Sequence, residues 1–325
     1  MKAVGLTEFG GPEVLRVLEL PAPEAGPGEI RIRVHAAAVN PIDTMVRRGT
    51  AFVSDAEPPY VPGMDAAGVI EQIGEGVDTD LSIGDHVMAV AVISGTHGAY
   101  AEHLVVPAES VVRTPAGLTD IQAATLPMNG LTARMALDLL SLPTGSTIAV
   151  TGAAGAVGAY AVQLAKADGH RVIADAAPKD EQLVKDLGAD LVLPRGTDYA
   201  QLVREEVPDG VDGLLDTAGI VEPTSHAVRD NGRIASSVHR IKGSAERGIV
   251  TQTTFVPQYA REHAKLDRLR QLAEEGRLTP RVAQTLAAEQ APEAHRLLEA
   301  GGLRGRIVLT FSTPTADRTP KSPES

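Results

Sequence analysis

The hydrophobic pattern changes period three times over residues 146–175. Ile148, Ala149 and Val150 stand in line, as in a short strand buried on both faces. Glycines follow at Gly152, Gly155 and Gly158. Val157, Ala161, Leu164 and Ala165 then recur at helical spacings, which predicts a helix with one apolar face. Gly169 ends it, and 171–174 begins a second strand. Strand, tight turn, helix and strand make the form of a dinucleotide-binding half.

A turn this tight needs residues without a bulky Cβ. A diphosphate must also approach the main-chain N–H groups at the helix start, where the helix dipole favours negative charge. Gly152, Gly155, Ala156, Val157 and Gly158 are therefore the expected cofactor contacts, with main-chain amides near Ala156 and Val157 holding the diphosphate. Ala153 stands where the first glycine of the ideal G-x-G-x-x-G would be, so Gly155 and Gly158 carry the pattern. A Gly/Ala-rich segment that merely packs a helix on a sheet is the plainer alternative.

Upstream, the pattern alternates with period two. Strands are expected over 14–20, 30–39, 69–73, 83–92 and 98–107, joined by Gly/Pro turns, with a short helix over 44–48 after Asn40-Pro41. From about residue 120 the texture becomes helix alternating with strand. Helices are expected over 121–126, 131–140, 180–187 and 199–207, strands over 190–193, 213–216, 234–238 and 250–255, with Ala227 and Val228 in a helix before a turn at Gly232. Amphipathic helices over 263–275 and 291–300 and a strand over 306–311 return to the first half. The fold class is α/β: a β-rich domain formed by 1–121 and 261–325, plus a doubly wound parallel sheet over 122–260. Residues 312–325 are polar and expected to be disordered.

Composition narrows the function. The net charge of −12 argues against a nucleic-acid surface. No cysteine is present, which excludes disulfides and any thiolate-bound zinc. His86, His97 and His103 recur in one region but read as surface or turn residues rather than ligands. No apolar run reaches membrane-spanning length and the first residues do not read as a signal peptide, so a cytoplasmic location is expected.

Several motifs together resemble the medium-chain dehydrogenase/reductases, and within them the zinc-independent quinone oxidoreductase, zeta-crystallin-like branch. They are Gly10-Gly11-Pro12-Glu13-Val14-Leu15, Ala38-Val39-Asn40-Pro41-Ile42-Asp43 with Arg47, Pro62-Gly63-Met64-Asp65-Ala66-Ala67-Gly68, Gly84-Asp85-His86-Val87, Gly98-Ala99-Tyr100-Ala101-Glu102 and Gly130-Leu131-Thr132-Ala133. The resemblance implies a GroES-like catalytic domain beside a Rossmann cofactor domain. Zinc-dependent members place Cys at Asn40 and a His-Glu pair at Met64-Asp65, so the resemblance implies no zinc here. It implies a homodimer formed through the 250–255 strand.

What remains is hydride transfer from a nicotinamide to a quinone or an α,β-unsaturated carbonyl. Asn40 is the first candidate donor, to the acceptor's carbonyl oxygen or to a cofactor hydroxyl, or else an amide that ties down its own turn before Pro41. Asp43 is expected to orient the loop through Arg47 or main-chain N–H groups. Related reductases carry Tyr two residues after that acid; here it is Met45, so Tyr60 or solvent is left to supply the proton. The resemblance places Thr132 near the nicotinamide and Ala218 against the cofactor. NADPH is the expected cofactor, with the discriminating position at Ala176 or Ala177 and Lys179 and Arg195 reaching a 2′-phosphate, unless Asp175 holds the ribose and selects NADH. Two further functions stay open: an enoyl-thioester or biosynthetic tailoring reductase, and an NADPH-binding sensor or partner protein without turnover.

Overall fold

The structure, a computed structural model, describes residues 1–52, 57–238 and 246–311. The tail expected over 312–325 lies outside the described residues. In chain order the first half contains β1 (Lys2–Gly5), β2 (Arg16–Glu19), β3 (Glu29–Ala38), α1 (Pro41–Arg47), β4 (Asp65–Ile73), β5 (His86–Val90), β6 (His103–Pro107) and β7 (Val111–Arg113). Helices α2 (Asp120–Ala123) and α3 (Pro127–Leu140) follow. Next come β8 (Thr147–Thr151), α4 (Ala156–Ala167), β9 (Arg171–Ala176), α5 (Glu181–Asp186), β10 (Leu191–Pro194), α6 (Tyr199–Glu206), β11 (Val211–Asp216), α7 (Val221–Thr224), β12 (Val228–Ser236) and β13 (Val250–Thr253). The chain closes with α8 (His263–Glu274), β14 (Val282–Ala287), α9 (Ala291–Ala300) and β15 (Arg306–Thr310).

Strand β3 shows why the first half is β-rich. Ile30, Ile32 and Val34 point into the core while Arg31, Arg33 and His35 face out, the period-two alternation of a half-buried strand. The larger sheet orders its strands β14-β15-β3-β4-β5-β7, with β6 also pairing β3. Antiparallel pairing of β15 with β3 joins the C-terminal segment to this sheet, through Val308 opposite Ala38.

The second sheet is parallel throughout, in the order β10-β9-β8-β11-β12-β13. Renumbered from β8, this is the doubly wound order 3-2-1-4-5-6, whose ligand crevice lies at the carboxyl ends of the two central strands. Here those are β8 and β11. Thr151 at the end of β8 donates its hydroxyl to Asp216 at the end of β11 at 2.7 Å, and Ser236 on β12 donates to the same carboxylate at 3.0 Å. One buried acid therefore gathers three strand ends at the crevice.

The chain departs from the expected elements in instructive ways. α3 begins at Pro127, not after Gly130: proline at the first helical position gives up no helical hydrogen bond. α1 likewise begins at Pro41. Val228 opens a strand rather than closing a helix, and Gly232 lies inside β12, where the register with β11 slips between Val211 and Gly213 and Asn231 adopts φ 55°. Strands β7 and β14 carry no clean alternation and were not expected.

Candidate active site

The glycine turn has the shape a diphosphate needs. Gly152 sits at φ 71°, and a Cβ there would lie 2.5 Å from Thr217 Oγ1. A Cβ on Gly158 would lie 2.2 Å from the carbonyl oxygen of Gly152, so only glycine lets α4 pack this close to the turn. Gly155 is the extended N-cap of α4 and Ala156 its first helical residue. The N–H groups of Ala156 and Val157 have no main-chain acceptor among the described residues, as expected for a first helical turn. Arg281 braces the turn from outside, its Nη2 donating to the carbonyls of Ala154 at 3.0 Å and Gly155 at 2.8 Å. Ala218 follows β11 with its N–H on Asp216 at 3.1 Å, its backbone close beside Gly152 of the turn.

At the end of β9 the structure brings Asp175 and Arg195 together. Asp175 is buried, accepting the Ala153 N–H at 3.1 Å and the Arg195 Nε at 3.0 Å. Arg195 remains nearly half exposed. Ala177 and the exposed Lys179 follow in a short 3-10 turn, anchored through Asp180 to Arg304 at 2.6 Å. The carboxylate at the end of β9 is thus paired with a cation, and Lys179 stands exposed beside Asp180.

A buried polar network joins the large sheet to α3. Asn40, Asp43 and Asp65 are fully buried. Asn40 donates its Nδ2 amide to Asp65 at 2.7 Å, and its Oδ1 accepts from Asn129 Nδ2 at 3.3 Å. The other Asp65 oxygen accepts the Met128 N–H at 2.6 Å, at the start of α3. Asn129 in turn accepts from the Arg306 guanidinium, Nε at 2.9 Å and also Nη2. Burial pushes the Asp65 carboxyl up to about 7 and Asp43 to about 6, against the hydrogen bonds that favour their charged forms.

Asp43 orients the loop through main-chain N–H groups: Asn40 at 2.8 Å and Gly63 at 3.0 Å, with the Tyr100 hydroxyl at 3.1 Å. Arg47 does not reach it. It runs to Gly10, to Glu299 on α9 at 2.6 Å and to His295 Nδ1 at 3.3 Å. His295, held near pKa 3 by burial and by Arg47 and Arg48, lies 3.3 Å from the Tyr100 hydroxyl. Tyr60 is buried and stacked on Phe9, with ring centroids 5.1 Å apart. Thr132 donates back along α3 to the Met128 carbonyl at 2.7 Å.

The comparisons with known proteins fit this architecture. The alcohol dehydrogenase GroES-like domain family matches residues 26–116, and the zinc-binding dehydrogenase family matches 187–309. The chain is 30% identical over 319 residues to an NADPH-dependent alkenal/one oxidoreductase from Arabidopsis thaliana, covering 95% of this chain and 79% of that protein. It is 30% identical over 326 residues to the quinone oxidoreductase of Homo sapiens, covering 95% and 97%. A solved NAD-dependent alcohol dehydrogenase superposes with a TM-score of 0.84 at 33% identity, covering 96% and 100%. The chain belongs to the medium-chain dehydrogenase/reductase superfamily.

Two groups bound elsewhere in this superfamily can be tested against these residues. The donor set around Asn40 does not suit zinc: Asn40 turns its amide nitrogen on Asp65, Met64 offers only a thioether, and no thiolate exists in the chain. The glycine turn, by contrast, suits a dinucleotide: Gly158 lets α4 start hard against the turn, and the Ala156 and Val157 N–H groups at that start have no main-chain acceptor among the described residues.

Sequence reasoning named Asn40, Asp43, Arg47 and the turn, but it missed the partners that hold them. Asp65 was seen only as the place of a lost zinc ligand. Asn129, Arg306 and His295 gave no signal of their own, and Tyr100 stood in a quoted motif without a role, because each meets the site from more than 50 residues away in sequence. Among the described residues no helix is long and apolar enough to cross a membrane.

Proposed function

We propose that the protein is an NADPH-dependent reductase that delivers hydride, without zinc, to a quinone or an α,β-unsaturated carbonyl. The observation that carries this reading is the Asn40–Asp65 hydrogen bond, which commits the residues at the zinc-ligand positions to each other, beside a close-packed glycine turn at the start of α4. The names of the Arabidopsis and human relatives support the acceptor class.

NADPH, when bound, supplies the hydride. Hydride reaching a conjugated carbon leaves negative charge on the acceptor's oxygen, and a fixed amide dipole stabilises that charge. We assign that role to the second Nδ2 hydrogen of Asn40, the first being held by Asp65 and the amide oxygen by Asn129. Asp43 and Arg47 act as positioning residues that fix the start of α1 and its packing on α9. The proton comes from Tyr60 or from solvent. Thr132 lines the nicotinamide side, and Ala218 the cofactor wall beside Gly152.

Lys179 and Arg195 favour a 2′-phosphate, and the Arg195 ion pair keeps Asp175 from meeting it as a bare charge. We assign the catalytic unit to 1–121 with 261–325 and the cofactor unit to 122–260, in a cytoplasmic homodimer pairing through the edge strand β13. Light scattering tests the dimer.

Oxidation of NADPH with a panel of quinones and enones tests the function. Acceptor-dependent turnover supports it. Activity on acyl thioesters alone selects the thioester-reductase reading, and tight NADPH binding with no turnover selects a non-catalytic sensor.

A further inference from the structure

On the outer face of the large sheet, away from the Asn40 network, two histidines and one aspartate converge. His35 Nδ1 lies 2.7 Å from Asp120 Oδ2, and His86 Nδ1 lies 3.0 Å from both Asp120 oxygens. Suitable ligand atoms of all three residues lie within 4.8 Å of one another. The two imidazoles sit 5.9 Å apart with their planes at 62°, so neither ring blocks the other.

The backbone builds this convergence. Between Val34 and Ala36 the register of β3 with β4 slips, leaving His35 as an extra residue, and such bulges re-aim a side chain. Gly68 on the facing strand has no room for a Cβ, which would lie 2.0 Å from the Arg33 carbonyl oxygen, so the strands approach closely there. His86 opens β5, and Asp120 opens α2 behind a Thr119 cap. Three elements distant in sequence thus each present one ligand type to a single point.

The charges at that point are incomplete. Among the described residues Asp120 has no lysine or arginine partner; it faces only the two imidazoles. The neighbouring cation on the same face, Arg33, is committed to Glu71, as is His103. His35 Nε2 is buried with no hydrogen-bond partner, so that ring is held from its Nδ1 side alone.

We propose that His35, His86 and Asp120 form a binding site for a borderline transition-metal dication, zinc first, with water completing four-coordination. Two imidazoles and a carboxylate form a ligand set for such ions, whereas calcium and magnesium prefer oxygen alone. The ion clamps α2 onto β3 and β5. Because α2 leads directly into α3, whose Met128 and Asn129 hold Asp65 and Asn40, the clamp fixes the junction between the sheets and stands outside the hydride-transfer site.

Calorimetric titration of the chelator-treated protein with ZnCl₂ tests this, beside thermal melts with and without zinc. The wild type is expected to bind one equivalent and to melt at a higher temperature when loaded. His86→Ala, a change at an exposed side chain, is expected to weaken binding by about 100-fold or more and to abolish the melting shift, and Asp120→Asn to do the same. Cobalt at one equivalent should give the ligand-field spectrum of a low-coordinate site in the wild type and not in His86→Ala. Failure to bind zinc saturably, or equal affinity in wild type and His86→Ala, overturns the proposal. These readouts need neither cofactor nor acceptor, so they fail independently of the reductase reading.

Discussion

Asn40 hands its side-chain amide to Asp65 at 2.7 Å, and neither group meets solvent. This contact welds the end of β3 to the start of β4 and, through Met128, to the first turn of α3. Truncation to Asn40→Ala leaves an Asp65 oxygen buried without a donor, at a cost of about 1–3 kcal/mol in stability. It is expected to lower kcat by about 100-fold while changing the NADPH dissociation constant only a few-fold. Steady-state kinetics beside a binding titration separates the two effects. A loss confined to cofactor affinity would move Asn40 from the acceptor to the cofactor.

Asp65 and Asp43 make stability depend on pH in a definite direction. Their carboxyls are raised by burial to about 7 and about 6, against 3.8 in the unfolded chain. Between about pH 4 and pH 7 the folded protein therefore holds protons that the unfolded chain has released. Their stabilising contribution is complete below pH 4 and is lost as pH rises through 6 and 7. His295 acts in the opposite sense: its pKa near 3 means that stability falls as pH drops below 6.5. Urea midpoints from pH 4.5 to 7.5 should show the Asp65→Asn deficit shrinking as pH rises, and the His295→Gln deficit shrinking as pH falls. A pH-independent difference for either variant contradicts the assignment.

Gly158 has the tightest contact in the turn, with the Gly152 carbonyl oxygen where a Cβ would stand. Since the obstacle is backbone, Gly158→Ala must shift α4. We expect an NADPH affinity at least 10-fold weaker and a stability loss of about 1–3 kcal/mol. An unchanged dissociation constant would separate the turn from cofactor binding.

Arg195 pairs with Asp175 at the end of β9, where the proposed function puts the cofactor's adenosine. Arg195→Ala removes a cation and releases a carboxylate, so NADPH binding should weaken by about 10-fold while NADH binding holds or improves. Fluorescence titrations with both cofactors measure the ratio. A wild type that already prefers NADH would place Asp175 on the ribose instead, in line with the NAD-dependent structural relative.

The period-two pattern of β3 was legible because its two faces meet different media, whereas α4 was legible as a run of mainly small and apolar residues, buried on every side from Gly158 to Ala165. The strand-turn-helix unit was equally clear, since its glycines answer to local sterics. β7 and β14 were not legible. β7 has only three residues, and β14 exposes much of both faces, so neither shows a burial rhythm. In the site, Asn40 and Asp43 stood out beside Pro41, but Asn129, Tyr100, His295 and Arg306 are ordinary residues until the fold brings them together. His86 read as a surface residue, and it is one; its convergence with His35 and Asp120 depends on a bulge that no local pattern announces.

Acceptor-dependent oxidation of NADPH by the chelator-treated protein tests the central claim most directly. The account predicts turnover with a quinone or an enone that needs no added metal. Turnover that disappears on chelation and returns with zinc in the His86→Ala protein, or no NADPH consumption with any such acceptor, would contradict it.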